Sequence, residues 1–137
     1  IDEVIEGYRP EAEQNGIRIQ RQFQRDSFRI STDRFAIERV LKNLILNAIE
    51  AMPEGGDLVV KMNADGQWVE IDIQDTGCGI PEERLETIFE DYVTTKRKGL
   101  GLGLAISKKI VQDLNGTIEV QSEPGKGSTF TLKFPLL

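Results

Sequence analysis

The segment Arg34 to Met52 constrains the fold more than any other. Ile37, Val40, Leu41, Leu44, Ala48 and Ala51 recur at helical spacing and form one apolar stripe. Such a helix has to bury its stripe against a second layer of structure. Pro53 and Gly55-Gly56 end it. Asn43 and Asn47 stand four residues apart, on one face at the polar edge of the stripe, with Glu50 alongside. Two carboxamides and a carboxylate in a row can offer oxygen to a hard cation and N–H groups to phosphate. They also suit a plain solvated helix face.

The second layer reads as strands. Ile17 to Phe23 alternates apolar and polar, and Phe28 to Ser31 is a second short strand. Leu58 to Asn63 and Trp68 to Gln74 flank Ala64-Asp65-Gly66, a hairpin turn signal. Thr117 to Ser122 and Ser128 to Phe134 flank the turn Glu123-Pro124-Gly125-Lys126-Gly127. Three helices complete the pattern. Ile1 to Gln14 stops at Asn15-Gly16, Glu82 to Glu90 is short, and Leu102 to Leu114 turns Leu104, Ile106, Ile110, Val111 and Leu114 inward. Asp33 can cap the Arg34 helix. Hairpins outnumber strand–helix–strand units, so the expected fold is a two-layer α/β sandwich. Its mixed, mostly antiparallel sheet carries helices on one face.

Composition narrows the chemistry. The 137 residues fit one compact domain, and no apolar run approaches a membrane span. The chain begins with Ile, so any membrane anchor is expected upstream, with no direct membrane contact from this domain. One cysteine, Cys78, excludes an internal disulfide and suits a reducing, cytoplasmic setting. The net charge of −6 argues against gripping nucleic acid by bulk charge, yet permits one nucleotide held by a cation and backbone amides. There is no histidine, which excludes Ser–His–Asp catalysis, His-based zinc sites and His general bases within the chain.

Four further segments stand out. Asp75-Thr76-Gly77-Cys78-Gly79 follows an apolar strand; its glycines let backbone approach a flat ligand, and its carboxylate can accept from an exocyclic amine. Equally, it can be a turn that ends a strand. Thr94-Thr95-Lys96-Arg97-Lys98 is the densest basic cluster, either a lid over a triphosphate or a solvated loop. Gly99-Leu100-Gly101-Leu102-Gly103-Leu104 opens a helix whose free amides can cradle an anion, but its glycine spacing is not the dinucleotide fingerprint. Gly125-Lys126-Gly127-Ser128 is a hairpin turn and not a P-loop, because Lys126 precedes Gly127.

In this order the segments resemble the Bergerat ATP-binding fold of histidine kinases, gyrase, Hsp90 and MutL. Asn43 to Ala48 is similar to the N box, Asp75 to Ile80 to the first glycine box, and Ile88-Phe89 to the F box. Gly99 to Leu104 is similar to the second glycine box, and Gly125 to Phe130 to the closing Gly-x-Gly-Thr strand. The F box and the run Gly-Leu-Gly-Leu-Ala-Ile resemble sensor histidine kinases, and the Thr-Thr-Lys segment with Asn-Ala-Ile-Glu-Ala-Met resembles their nitrogen-regulatory subgroup.

The resemblance implies roles. Residues 1–137 would be a catalytic and ATP-binding domain, with the dimerisation and phosphoacceptor region upstream. Asp75 would bind the adenine amino group, partly through water, with Ser128 nearby and Gly77 and Gly79 shaping the loop. Asn47 would ligate Mg2+ and Asn43 would contact phosphate. Gly99, Leu100, Gly101, Leu102 and Gly103 would form the phosphate cradle, Gly101 and Gly103 through their amides. Ile80 and Leu104 would wall the adenine pocket, and Lys96 would neutralise the γ-phosphoryl group. The acceptor would be a histidine on the upstream segment, and phosphate would pass to a response-regulator aspartate. Four positions depart from the pattern: Glu50 where a basic residue is common, Asp91-Tyr92 in the F box, Leu100 for Thr, and Ser128 for Thr. An anti-sigma-type serine kinase and an ATP-gated conformational module share the fold and stay open at this point.

Overall fold

The computed structural model describes residues 2–23, 34–64, 67–79 and 100–135, with the backbone alone for 2–4, 23, 34 and 100–105. The expected strand Phe28 to Ser31, the Asp33 cap, the turn residues Asp65 and Gly66, the helix Glu82 to Glu90 and the basic segment 91–99 lie outside the described residues.

Helix α1 (Asp2–Gln14) leads into strand β1 (Ile17–Phe23), with Gly16 in the left-handed region at the junction (φ 75°). Helix α2 (Arg34–Glu50) then crosses to strand β2 (Gly56–Ala64), which lies parallel to β1 in the register Ile17↔Gly56 through Phe23↔Met62. A parallel pair needs a crossover, and α2 supplies it. Strand β3 (Trp68–Asp75) returns antiparallel to β2. Helix α3 (Leu100–Asp113), strand β4 (Thr117–Glu123) and strand β5 (Gly127–Pro135) complete the order, and β5 inserts between β3 and β4. The sheet order is β1-β2-β3-β5-β4, with only the first pair parallel.

One sheet face is apolar. Ile17 and Ile19, Leu58, Val60 and Met62, Val69, Ile71 and Ile73, and Phe130, Leu132 and Phe134 are buried at alternate positions. Helix α1 packs on β1 and α2, α2 on β3, and α3 on β4 and α2, so the helices share that face. The two-layer, mostly antiparallel sandwich expected from the hairpin signals is the observed fold. Truncating a fully buried residue such as Leu132 or Leu44 to Ala would cost about 2–5 kcal/mol.

Three local expectations need correction. Helix α2 ends at Glu50, because Met52 N–H reaches the Ile49 carbonyl (3.1 Å) and tightens the last turn; Ala51 is half-buried beyond the helix. Ile45 and Ile49 broaden the buried stripe instead. Helix α3 starts at Leu100, so Gly101 and Gly103 lie inside its first turn. Ile106 is 37% exposed, because the inward face of α3 centres on Ser107 and Val111, which are fully buried. Leu114 and Gly116 close α3, with Gly116 N–H on the Val111 carbonyl at 2.9 Å and Asn115 left-handed (φ 64°).

Candidate functional site

Strand pairing brings four residues into one row on the helical side of the sheet. Leu58 faces Asp75, Asp75 faces Ser128, and Ser128 faces Ser122. Asp75 is a buried carboxylate at the end of β3, and two backbone amides converge on its Oδ1. Gly77 N–H donates at 2.8 Å and Ser128 N–H at 3.3 Å. Burial pushes the carboxyl above its ordinary range, against the opposing pull of the Gly77 and Ser128 amides. Both of these bonds use Oδ1, so neither occupies Oδ2. Beside it, Ser122 Oγ donates to the Gly127 carbonyl (3.0 Å) and lies 2.7 Å from Ser128 Oγ.

The loop after Asp75 is wedged between two elements. Cys78 N–H donates to the Ala51 carbonyl at the end of α2 (3.1 Å), and Gly125 N–H of the β4–β5 turn donates to the Cys78 carbonyl (2.7 Å). A side chain on Gly77 would stand against the Ala51 carbonyl, and one on Gly79 (φ 75°) against Glu123 and Pro124. Backbone fits where no Cβ could, which is why glycines occupy both positions. Thr76 Oγ1 fixes the loop's other edge by accepting Asp57 N–H at 3.1 Å. The turn at Gly125-Lys126-Gly127 is the hairpin the sequence predicts.

Helix α2 presents the asparagines. The expected row of three separates by depth: Asn47 is buried, Asn43 half-buried and Glu50 exposed. Asn47 Nδ2 is buried without a hydrogen-bond partner among the described residues. Such a group costs about 1–3 kcal/mol unless something completes it. Asn43 Nδ2 donates to Ser107 Oγ of α3 at 3.2 Å. One turn beyond Asn47, Ala51 holds the Asp75 loop, so the asparagine helix and the carboxylate loop are directly joined.

Leu100 to Leu104 form the first turn of α3, whose leading amides have no partner inside the helix and suit an anion. Ile80, Lys96 and Gly99 lie outside the described residues. Among the described residues no group of three His, Cys, Asp or Glu could hold a metal. A cavity of about 600 Å³ opens at the far end of the sheet, lined by Asn63, Trp68, Glu70, Thr117, Glu119 and Lys133. It shares no residue with the row at Asp75.

Sequence reasoning missed Ser107, Ser122 and Thr76. Ser107 was findable: it stands at helical spacing from Leu104, Val111 and Leu114, a polar residue on the inward face. Ser122 was findable too, because counting back across the turn pairs it with Ser128. Thr76 gave no signal.

Comparison with known proteins adds a second line. Residues 32–137 match the family model described as histidine kinase-, DNA gyrase B-, and HSP90-like ATPase. Sporulation kinase A of Bacillus subtilis (strain 168) is 40% identical over 135 residues, which is 98% of this chain and 22% of that protein. The chain thus spans about a fifth of that relative. A solved catalytic domain of the histidine kinase ThkA superposes with a TM-score of 0.89 at 32% identity, covering 98% of this chain and 90% of that one. A structure of ThkA in complex with the response regulator protein TrrA matches with a TM-score of 0.85 at 30% identity, over 99% of this chain and 39% of that one.

Proposed function

Because the chain belongs to the histidine kinase-, DNA gyrase B-, and HSP90-like ATPase family and is homologous to histidine kinase catalytic domains, we propose that it is the ATP-binding catalytic domain of a two-component sensor kinase. It binds Mg-ATP and delivers the γ-phosphoryl group to a histidine on an upstream dimerisation segment, for relay to a response-regulator aspartate. The domain works on the cytoplasmic side. Among the described residues no helix is long and apolar enough to cross a membrane.

The observation that carries this reading is the pairing of Asp75 with Asn47. Asp75 is a buried carboxylate whose Oδ1 is already held by two amides, so Oδ2 serves an outside donor such as the adenine amino group. Asn47 carries a buried amide nitrogen that is unsatisfied among the described residues. A half-turn of that amide places Oδ1 there instead, suited to Mg2+. Magnesium, when bound, neutralises phosphate charge.

The chain's own residues do the rest. Gly77 and Gly79 let the Asp75 loop seat against Ala51 and the β4–β5 turn beside the base, with Ile80 and Leu104 as its walls. The amides of the turn Gly99, Leu100, Gly101, Leu102 and Gly103 cradle phosphate oxygens. Asn43 contacts phosphate, and Lys96 balances charge as the phosphorus leaves ADP for an imidazole nitrogen. A neutral imidazole is already nucleophilic, so the chain needs no general base, in keeping with its lack of histidine. Glu50 is exposed, and its negative charge shifts the phosphate role of that position to Lys96.

Trans-phosphorylation tests the proposal. The chain is mixed with its parent's upstream segment and γ-labelled Mg-ATP, and the product is treated with acid. Label on the segment that acid removes is the expected result. Acid-stable label means a serine kinase. Bound ATP without label means a nucleotide-gated switch.

A further inference from the structure

Among the described residues, a polar joint links α2 and α3. Ser107 is fully buried on the inward face of α3, next to the fully buried Val111 and the half-buried Ile110. A hydroxyl in that position needs a partner, and Asn43 Nδ2 supplies one at 3.2 Å across the helix pair. A helical serine can also pass its own proton to the carbonyl one turn back, which leaves its lone pairs for the asparagine. In this arrangement the amide nitrogen is the end of Asn43 that faces α3, and Oδ1 is turned away from it. A carboxamide held at one end has its plane and its remaining hydrogen fixed in direction.

We propose that Ser107 is a positioning residue for the nucleotide site: it presets the Asn43 carboxamide and ties α3, whose first turn carries the second glycine box, to the asparagine helix. The inference rests on the reading that Asn43 contacts phosphate. Two consequences follow. Asn43 meets its ligand without first losing amide rotation, which is where preorganisation adds affinity. A shift of α3 along α2 also breaks the joint, so the asparagines and the glycine-box turn engage phosphate together.

A double-mutant cycle on Mg-ATP affinity tests this, using Ser107→Ala, Asn43→Ala and the pair, with thermal unfolding as the control for folding. Ser107→Ala is expected to weaken binding about threefold to tenfold, as for one neutral hydrogen bond, and to add nothing in the Asn43→Ala background. Ser107→Thr, which keeps the hydroxyl, restores affinity. Additive losses in the cycle, or full affinity in Ser107→Ala, would overturn the inference while leaving the kinase reading intact. No Mg-ATP binding by the unmodified chain would remove both. Should Ser107→Ala fail to fold, Ser107→Thr and Ser107→Val ask the same question at nearly equal volume. Thr then binds as the unmodified chain does, and Val shows the threefold to tenfold loss expected of Ser107→Ala; equal affinities for the two overturn the inference.

Discussion

Asp75 and Asn47 are equally buried, each about 5% exposed, yet their surroundings treat them in opposite ways. The fold has already met the carboxylate with two backbone amides, one from its own loop and one from β5. The carboxamide on α2 keeps a buried nitrogen that no group among the described residues answers. The sheet end of the site is thus assembled by folding alone, because strand register brings the Ser128 amide and the adjoining loop brings the Gly77 amide. The helix end holds, among the described residues, an unmet hydrogen-bonding group that costs stability. On the proposed function, recognition of the base would be built in and the helix end would be left for the ligand to finish.

The sharpest way to break this comparison is Asp75→Asn. The amide oxygen can still accept the Gly77 and Ser128 bonds, but the charge is gone. We expect nucleotide affinity to fall about a hundredfold, the scale of a lost charged hydrogen bond in a buried site. Unchanged affinity in a calorimetric titration would move the base elsewhere. Asn47→Leu, close in volume, makes the complementary case. It removes the orphaned donor, so the nucleotide-free domain should gain about 1 kcal/mol by chemical unfolding. The extra stability conferred on the unmodified protein by saturating Mg-ATP should vanish. A variant that is less stable without nucleotide would show that the amide is satisfied after all.

A pH series sharpens the carboxylate half. Burial raises the Asp75 pKa above its unfolded value, so the unfolded state ionises first as pH rises. The stability linked to this group is complete below the unfolded pKa and is lost as pH climbs through the folded one. Asp75→Asn should therefore be the more stable form at neutral pH without nucleotide, with the gap closing in acid. Denaturation of both proteins across pH reads this directly. The smallest effect belongs to Lys126, whose exposed pair with Glu123 spans 3.3 Å. Lys126→Ala should shift stability by less than about 0.5 kcal/mol and leave nucleotide affinity unchanged. A large loss of affinity would place that turn in the nucleotide site.

Much of this arrangement was legible before any coordinates. The stripe on α2, the hairpins and the glycine-flanked Asp75 are local patterns, and local patterns survive into the fold because each depends on neighbours in sequence. Ile106 was misplaced for the same reason. Apolarity alone turned it inward, whereas packing of α3 against α2 chose Ser107, a residue that earns its burial through a partner 64 positions away. The depth ordering of Asn43, Asn47 and Glu50 was likewise hidden, since helical spacing fixes direction but not how far the neighbouring layer reaches. The parallel pairing of β1 with β2 depends on where α2 delivers the chain, which periodicity does not encode.

The Ser128 amide that holds Asp75 arrives 53 residues after it, on a strand that inserts between two others. During synthesis, a chain extended through Gly103 already carries both asparagines, Asp75 and the glycine boxes, but lacks the strand that closes the row. Such a nascent chain has the vocabulary of a nucleotide site without its grammar. Tight ATP binding should appear only once β5 has emerged, so nucleotide capture would report completed folding of the whole domain.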